Sequence, residues 1–340
     1  MRVLAKYSFA NAKIRAMLSR IPDAHFFQRL LDADSFEEAR TLVRSFYIPD
    51  LSESRKEISD PKQIERQLLM HDIVQHTICR DILIGKREKN FISLLMEQYE
   101  IQELQAALRT LLRKEPSLSR EFLPRIIHSI PYEEIATAAS LETVSALLAH
   151  TPYAEALSEK TIHDIHAAFM IDFELDSGYY RRLIAAAKNL TRLDRRIVLD
   201  IIGIEIDIAN ILLLLKGERY YPFSSRQLAQ WVLPGGRTFF QKNVAAAKEF
   251  KDILAPLLHY KKITLSPDTI RGNPDLLVQA LEEELAEKVR AVLRGFPFTI
   301  GTVIGYLFLQ QRATQRIISL LYAKYFHWKR EAFLSFIPSC

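Results

Sequence analysis

Leu281-Glu282-Glu283-Glu284-Leu285-Ala286-Glu287-Lys288-Val289-Arg290-Ala291-Val292-Leu293 sets Leu281, Leu285, Val289 and Leu293 four residues apart, with acids and bases between them. Side chains at i, i+4, i+8 and i+12 share one face of a 3.6-residue helix, so the stretch reads as an exposed helix with a single apolar stripe. The punctuation elsewhere is also that of helices. Ser35 with Glu38, and Ser224 with Gln227, fit the capping box, in which a hydroxyl takes a free backbone N–H and the acid or amide reaches back. Pro22, Pro49, Pro61, Pro116, Pro131, Pro152, Pro222, Pro234, Pro274 and Pro297 divide the chain into runs of moderate length. Ten glycines in 340 residues leave few positions that can demand positive φ, which argues against a turn-rich β-sandwich or a glycine-lined nucleotide fold. The expected fold is all-α.

With 49% hydrophobic and 26% charged residues, the composition is that of a globular chain and excludes disordered and collagen-like states. The net charge, 46 minus 41 or +5, permits an anionic partner without demanding one. Glu282 to Glu284 followed by Lys288 and Arg290 illustrate how acids and bases interleave, whereas a nucleic-acid binder segregates its bases onto one face. Only Cys79 and Cys340 occur, so no disulfide framework or CxxC zinc site is encoded, and a reducing, cytoplasmic setting is expected. Arg2, Lys6, Lys13 and Arg15 interrupt the opening stretch, so no export signal is read there. Gly295 to Gln311 is uncharged, but Pro297, Gly301, Gly305, Gln310 and Gln311 lower its helicity and hydrophobicity. It reads as a core helix, leaving membrane contact peripheral.

A repeat organises the chain. Ala33-Asp34-Ser35-Phe36-Glu37 with Leu42-Val43 returns as Ala138-Ala139-Ser140-Leu141-Glu142 with Leu147-Leu148, an offset of 138 − 33 = 105. Longer units open near Ile64-Glu65, Phe173-Glu174 and Leu281-Glu282, and lead to second helices carrying Glu100-Ile101-Gln102, Glu205-Ile206-Asp207 and Gln311-Arg312-Ala313. The expected organisation is three modules: 1–115 (short unit 1–60, long unit 62–112), 116–217 and 218–340. Trp328 to Pro338 resembles the start of a fourth short unit. Stacking as a solenoid and closure about a pseudo-threefold axis would each cover the exposed stripes. Closure is preferred, with the third module meeting the N-terminal helices so that Phe333, Leu334, Phe336 and Ile337 are covered.

Chemical motifs are sparse. No GxxxxGK[ST] loop and no GxGxxG occurs, and Leu233-Pro234-Gly235-Gly236 reads as a loop that stops a helix. His163 and His166 share a helical face, but no HExxH or Cys partner accompanies them; His71 and His76 are weaker still. The expectation is no catalytic residue, no metal and no cofactor. Within Glu205 to Leu215, Asp207 and Asn210 sit one turn apart in an apolar helix. Unpaired burial there would cost several kcal/mol, so partners are required, and a structural role is preferred to an ion-pathway carboxylate. Lys324, Lys329 and Arg330 beside Tyr322, Tyr325, Phe326 and Trp328 form an aromatic and basic cluster that could face lipid headgroups at a membrane surface; burial of its aromatics in the core is an equal reading.

At these residues the chain resembles the C subunits of A-type/V-type rotary ATPases, the AC39 family. Tyr7 with Asn11-Ala12-Lys13-Ile14-Arg15-Ala16-Met17 is similar to that family's opening helix, Thr151-Pro152-Tyr153 to its Thr-Pro-Tyr turn, and Glu205 to Ile211 to its most recognisable stretch. The likeness runs from the first helix through Trp328. Asp207 and Asn210 alone carry the helical motif, since Gln102 and Gln105 stand there in the first repeat and Ala313 and Arg316 in the third. The resemblance implies a non-catalytic central-stalk spacer, a funnel of three helical modules. It would join D/F-type shaft subunits to the proteolipid ring on the cytoplasmic face, serving ion transport linked to ATP hydrolysis or synthesis, with no nucleic acid bound. The competing expectation is a basic α-helical scaffold for nucleic acid or a soluble protein; an enzyme with a deep polar pocket ranks third.

Overall fold

The computed structural model describes residues 2–47, 60–113, 121–158, 161, 166–220, 223–237, 241–247, 252 and 275–328. Among them there is helix and no strand. In chain order the helices are α1 (Arg2–Leu18), α2 (Ala24–Asp32), α3 (Phe36–Tyr47), α4 (Pro61–Asp81), α5 (Lys86–Arg113), α6 (Tyr132–Ala136), α7 (Leu141–Leu148), α8 (Ala167–Lys188), α9 (Arg192–Tyr220), α10 (Ser225–Leu228), α11 (Gln241–Ala246), α12 (Asp275–Arg294) and α13 (Ile300–Tyr325). Short 3₁₀ turns occur at Ala154–Leu157 and Ala229–Trp231. The chain divides into two compact units, Met1–Gly85 with Arg196–Ile201 and Leu257–Cys340, and Lys86–Arg195 with Ile202–Pro256.

Local chemistry sets the helix starts. Glu38 N–H donates to Ser35 Oγ, while the Glu38 carboxylate takes the Asp34 N–H, which fixes α3. Ser140, at the repeat position of Ser35, caps α7 by accepting the Thr143 N–H at 3.4 Å. The Ser224–Gln227 box is also formed, with Gln227 Oε1 accepting the Ser224 N–H and Ser224 Oγ accepting the Gln227 N–H.

In the first unit α13 packs on α4, α12, α1, α2 and α3. Its helix begins at Thr299, whose hydroxyl accepts the Gly301 N–H. Gly301 and Gly305 permit the close pass of α12, because a Cβ at either would fall within 3 Å of Val292 or Leu293 side-chain atoms. The stripe Leu281, Leu285, Val289 and Leu293 is buried. So is a cluster in which Phe26, Leu30, Val43 and Leu68 meet Ile317, Leu320 and Leu321. Lys288 Nζ lies 2.7 Å from Asp200 Oδ2, tying the 196–201 segment of α9 to α12.

In the second unit α5 packs on α8 and on α6, the Ala154–Leu157 turn packs on α7 and α8, and α11 covers α10 and the Ala229–Trp231 turn. Phe169, Phe173 and Phe223 surround Trp231 with ring centroids 5.0–6.4 Å away. No helix among the described residues is long and apolar enough to cross a membrane.

Ile317 is fully buried at the centre of the first cluster, whereas Ser319 faces solvent. Ile317→Ala should lower stability by about 2–5 kcal/mol and Ser319→Ala by less than about 0.5 kcal/mol, read by denaturant or thermal unfolding.

Candidate structural motif site

The two motifs singled out in the sequence both lie in the second unit. Asp207 and Asn210 project from α9 with 0% exposure, and each bonds a different part of one loop. Asn210 uses its whole amide on one residue: its Nδ2 donates to the Leu233 carbonyl at 3.2 Å, and its Oδ1 accepts the Leu233 N–H at 2.7 Å. One turn away, Asp207 Oδ2 accepts the Arg237 N–H at 3.1 Å. Together they hold the loop Leu233-Pro234-Gly235-Gly236-Arg237, so the glycine pair and the polar pair, unrelated in the sequence, form one device. Gly235 has φ 97, a conformation that a side chain would strain. A Cβ on Gly236 would collide with Asp207 Oδ1.

Thr151-Pro152-Tyr153 forms the second anchor. Thr151 Oγ1 donates to the Leu148 carbonyl and accepts the Tyr153 N–H, which closes the turn after α7. The buried Tyr153 hydroxyl then donates to Glu100 Oε2 at 2.7 Å. Glu100, fully buried on α5, also accepts the Ile127 and His128 N–H groups at 2.7 and 2.6 Å, and lies 2.7 Å from His128 Nδ1. Arg182 of α8 completes the clasp by donating to Glu97 Oε2 at 2.7 and 3.0 Å and to the Pro152 carbonyl at 3.4 Å. Glu103, one turn beyond Glu100, accepts the Leu123 N–H at 3.3 Å. Glu97 and Glu103 are members of this site that no sequence motif marks, and Glu100 is marked only as the start of the repeated Glu100-Ile101-Gln102. The further signal they share is three acids at i, i+3 and i+6, on one helical face. Each takes donors from an irregular segment or a neighbouring helix, which is how a buried carboxylate is accommodated.

The family model described as ATP synthase (C/AC39) subunit matches residues 10–333, a span that contains both anchors. The chain belongs to that family. It is similar to the C subunit of the A-type ATP synthase of Thermococcus gammatolerans, 24% identical over 329 residues, covering 93% of this chain and 85% of that protein. The corresponding protein of Methanocaldococcus jannaschii is 22% identical, covering 99% of this chain and 87% of its own.

The remaining candidate positions of this C/AC39 chain are placed differently from one another. Lys324 donates its ammonium to the carbonyls of Leu31 and Ala33, closing the C-terminal end of α2. Tyr322 donates to Glu65 Oε2 at 2.6 Å. Tyr325, Phe326 and Trp328 are 42%, 56% and 54% exposed and form a continuous ring series, whereas Lys329 and Arg330 lie outside the described residues. His163 lies outside them too; His166 precedes α8, its ring 5.2 Å from Phe223. His71 and His76 are buried in α4, where burial pushes the His76 imidazole down. No group of three or more His, Cys, Asp or Glu side chains among the described residues is placed to hold a metal.

Two carboxylates stand out electrostatically. Burial pushes Glu205 up to about 7. Burial, reinforced by Asp172, pushes Asp176 up to about 7, against the opposing pull of Gln105, Lys216 and Arg109.

Asn210→Ala strands both polar groups of Leu233 and should cost about 2–4 kcal/mol, with Asp207→Ala costing about 1–3 kcal/mol. Gly236→Ala should cost about 1–3 kcal/mol by collision. Thermal unfolding reads all three. For Glu205 and Asp176 the folded state keeps protons that the unfolded chain, with ordinary values near 4, has released, so their contribution falls as pH rises from about 4 to about 7 and is flat above. Glu205→Gln should therefore nearly match the natural protein at about pH 4 and melt about 2–5 °C higher at about pH 8.

Proposed function

We propose that this chain is the C subunit of an A-type rotary ATPase. It would act as a non-catalytic spacer between the D/F-type shaft subunits and the proteolipid ring, on the cytoplasmic face of the membrane. The observation that carries this reading is the match to the C/AC39 family from residue 10 to residue 333, together with relatives named as C subunits of A-type ATP synthases that align over most of their own length. ATP chemistry would then belong to the assembly, and the chain's task is mechanical.

A torque-bearing spacer must resist shear, and the physical features favour that task. Long helices are packed side by side, and irregular segments are tied to them by buried, multiply bonded side chains such as Glu100 and Asn210. In the proposed arrangement three related modules surround a pseudo-threefold axis as a funnel. Its support is a pairing of long helices found within each unit, α5 on α8 in the second and α13 on α4 in the first. Ring and shaft contacts of this kind form through mixed apolar and polar surfaces that can reassemble.

Removing the chain from cells that carry the complex should leave the ring in the membrane and abolish ATP-driven pumping, measured by a fluorescent proton or sodium gradient assay. Affinity capture of the tagged chain from detergent-solubilised membranes should recover shaft and ring subunits. Normal pumping without the chain, or reproducible capture of nucleic acid or soluble enzymes with no ATPase component, would overturn the reading in favour of a soluble scaffold.

A further inference from the structure

One end of the second unit carries a charge pattern that the sequence conceals. Lys86-Arg87-Glu88-Lys89, which opens α5, and Lys188 to Arg195, which spans the end of α8 and the start of α9, both interleave acids with bases. The two stretches meet because α5 and α8 run antiparallel: Arg87 Nη1 donates to the Asn189 carbonyl at 3.2 Å, Arg182 bonds Glu97 farther along, and Gln105 bonds Asp176 beyond that. Six bases and two acids, Glu88 and Asp194, are thereby gathered at this end.

Folding then sorts them by sign. Glu88 and Asp194 are only 3% and 2% exposed. Asp194 is engaged at its own helix start, where its N–H donates to Thr191 Oγ1 at 3.3 Å and its Oδ2 accepts the Thr191 hydroxyl at 2.8 Å. Lys86, Arg87, Lys188 and Arg192 are exposed, and Lys89 and Arg195 are half-buried. Leu193 stands among them, 37% exposed. The starts of α5 and α9 add the positive ends of two helix dipoles. A stretch that reads along the chain as mixed charge is, once folded, a patch of one sign with an apolar tip.

We propose that this end of the second unit, centred on Lys86, Lys188 and Arg192, docks on an anionic lipid surface. Charge complementarity is the ground, since clusters of about four to eight Lys and Arg are held by the negative potential of acidic headgroups. Leu193 supplies an apolar side chain that can enter the headgroup boundary. Nucleic acid fits less well, because the bases crowd helix ends instead of lining a helix face, and neither 86–89 nor 188–195 holds an aromatic side chain to stack on a base. A protein partner also fits less well: lysine, half of the six bases, is depleted at protein interfaces. The inference does not depend on the chain's place in an ATPase, because the patch belongs to the chain alone.

The purified full chain should sediment with vesicles of equal parts phosphatidylglycerol and phosphatidylcholine but not with phosphatidylcholine vesicles, and its binding should fall steeply with added salt. Lys86→Gln, Lys188→Gln and Arg192→Gln combined should weaken that binding at least about tenfold, whereas Lys13→Gln, Arg20→Gln and Arg29→Gln combined, which remove the same charge from exposed positions of the first unit, should change it less than about twofold. Circular dichroism checks that both variants keep their helix; should the first lose it, Lys188→Glu alone at its exposed position replaces it, with weakened binding again expected. The proposal is overturned by no binding to the anionic vesicles, by equal binding to neutral ones, by equal losses in the two triple variants, or by tighter binding to duplex DNA or polyglutamate than to anionic vesicles. Because no ATPase subunit is present in this assay, its failure is distinct from a failure of the affinity capture, which tests the proposed function.

Discussion

A carboxylate or amide on the inner face of a long helix has to be given donors and acceptors, and in this protein that requirement fixes where the irregular segments go. Glu100 is the clearest case. A fully buried acid on α5 collects two backbone N–H groups, an imidazole and a phenol, from the 127–128 segment and from the Thr-Pro-Tyr turn. Removing those donors would leave a charge in a low-dielectric interior, so the carboxylate and the segments it binds hold each other in place. Asn210 does the same for the 233–237 loop by pairing with one residue's N–H and C=O together, as a neighbouring strand would.

Such anchors differ in kind from the apolar stripes. A stripe such as Leu281 to Leu293 tells a helix to be covered without telling it by what, because hydrophobic contact is non-directional. Hydrogen bonds are directional, and a buried group that misses its partner is costly, so polar anchors select one register among the many that hydrophobic packing tolerates. Asp72 with Gln310 and Thr314 does this between α4 and α13, and Glu97 with Arg182 between α5 and α8. For a protein that would transmit torque, register fixed by direction is the property that matters.

The glycines are placed accordingly. Gly301 and Gly305 sit inside a helix at some cost in propensity and let α12 approach α13 closely. Gly235 and Gly236 form the loop that Asp207 and Asn210 hold, one by adopting positive φ and the other by leaving room for a carboxylate.

Periodicity, capping pairs and scarce glycine were enough in the sequence to give an all-α chain, because helix formation and capping are decided within a few residues. The buried stripe at Leu281 to Leu293 and the caps at Ser35 and Ser224 are local in that sense. So was the need of Asp207 and Asn210 for partners, since an apolar run on both sides leaves them little water. Which partners they take was not legible. Leu233 stands 23 residues from Asn210, and Tyr153 stands 53 from Glu100. No local rule encodes such a distance. The same limit hid the contact of Lys324, whose ammonium reaches the carbonyls of Leu31 and Ala33 nearly three hundred residues earlier in the chain. Only the folded chain, by bringing those donors and acceptors together away from water, decides which polar groups become anchors.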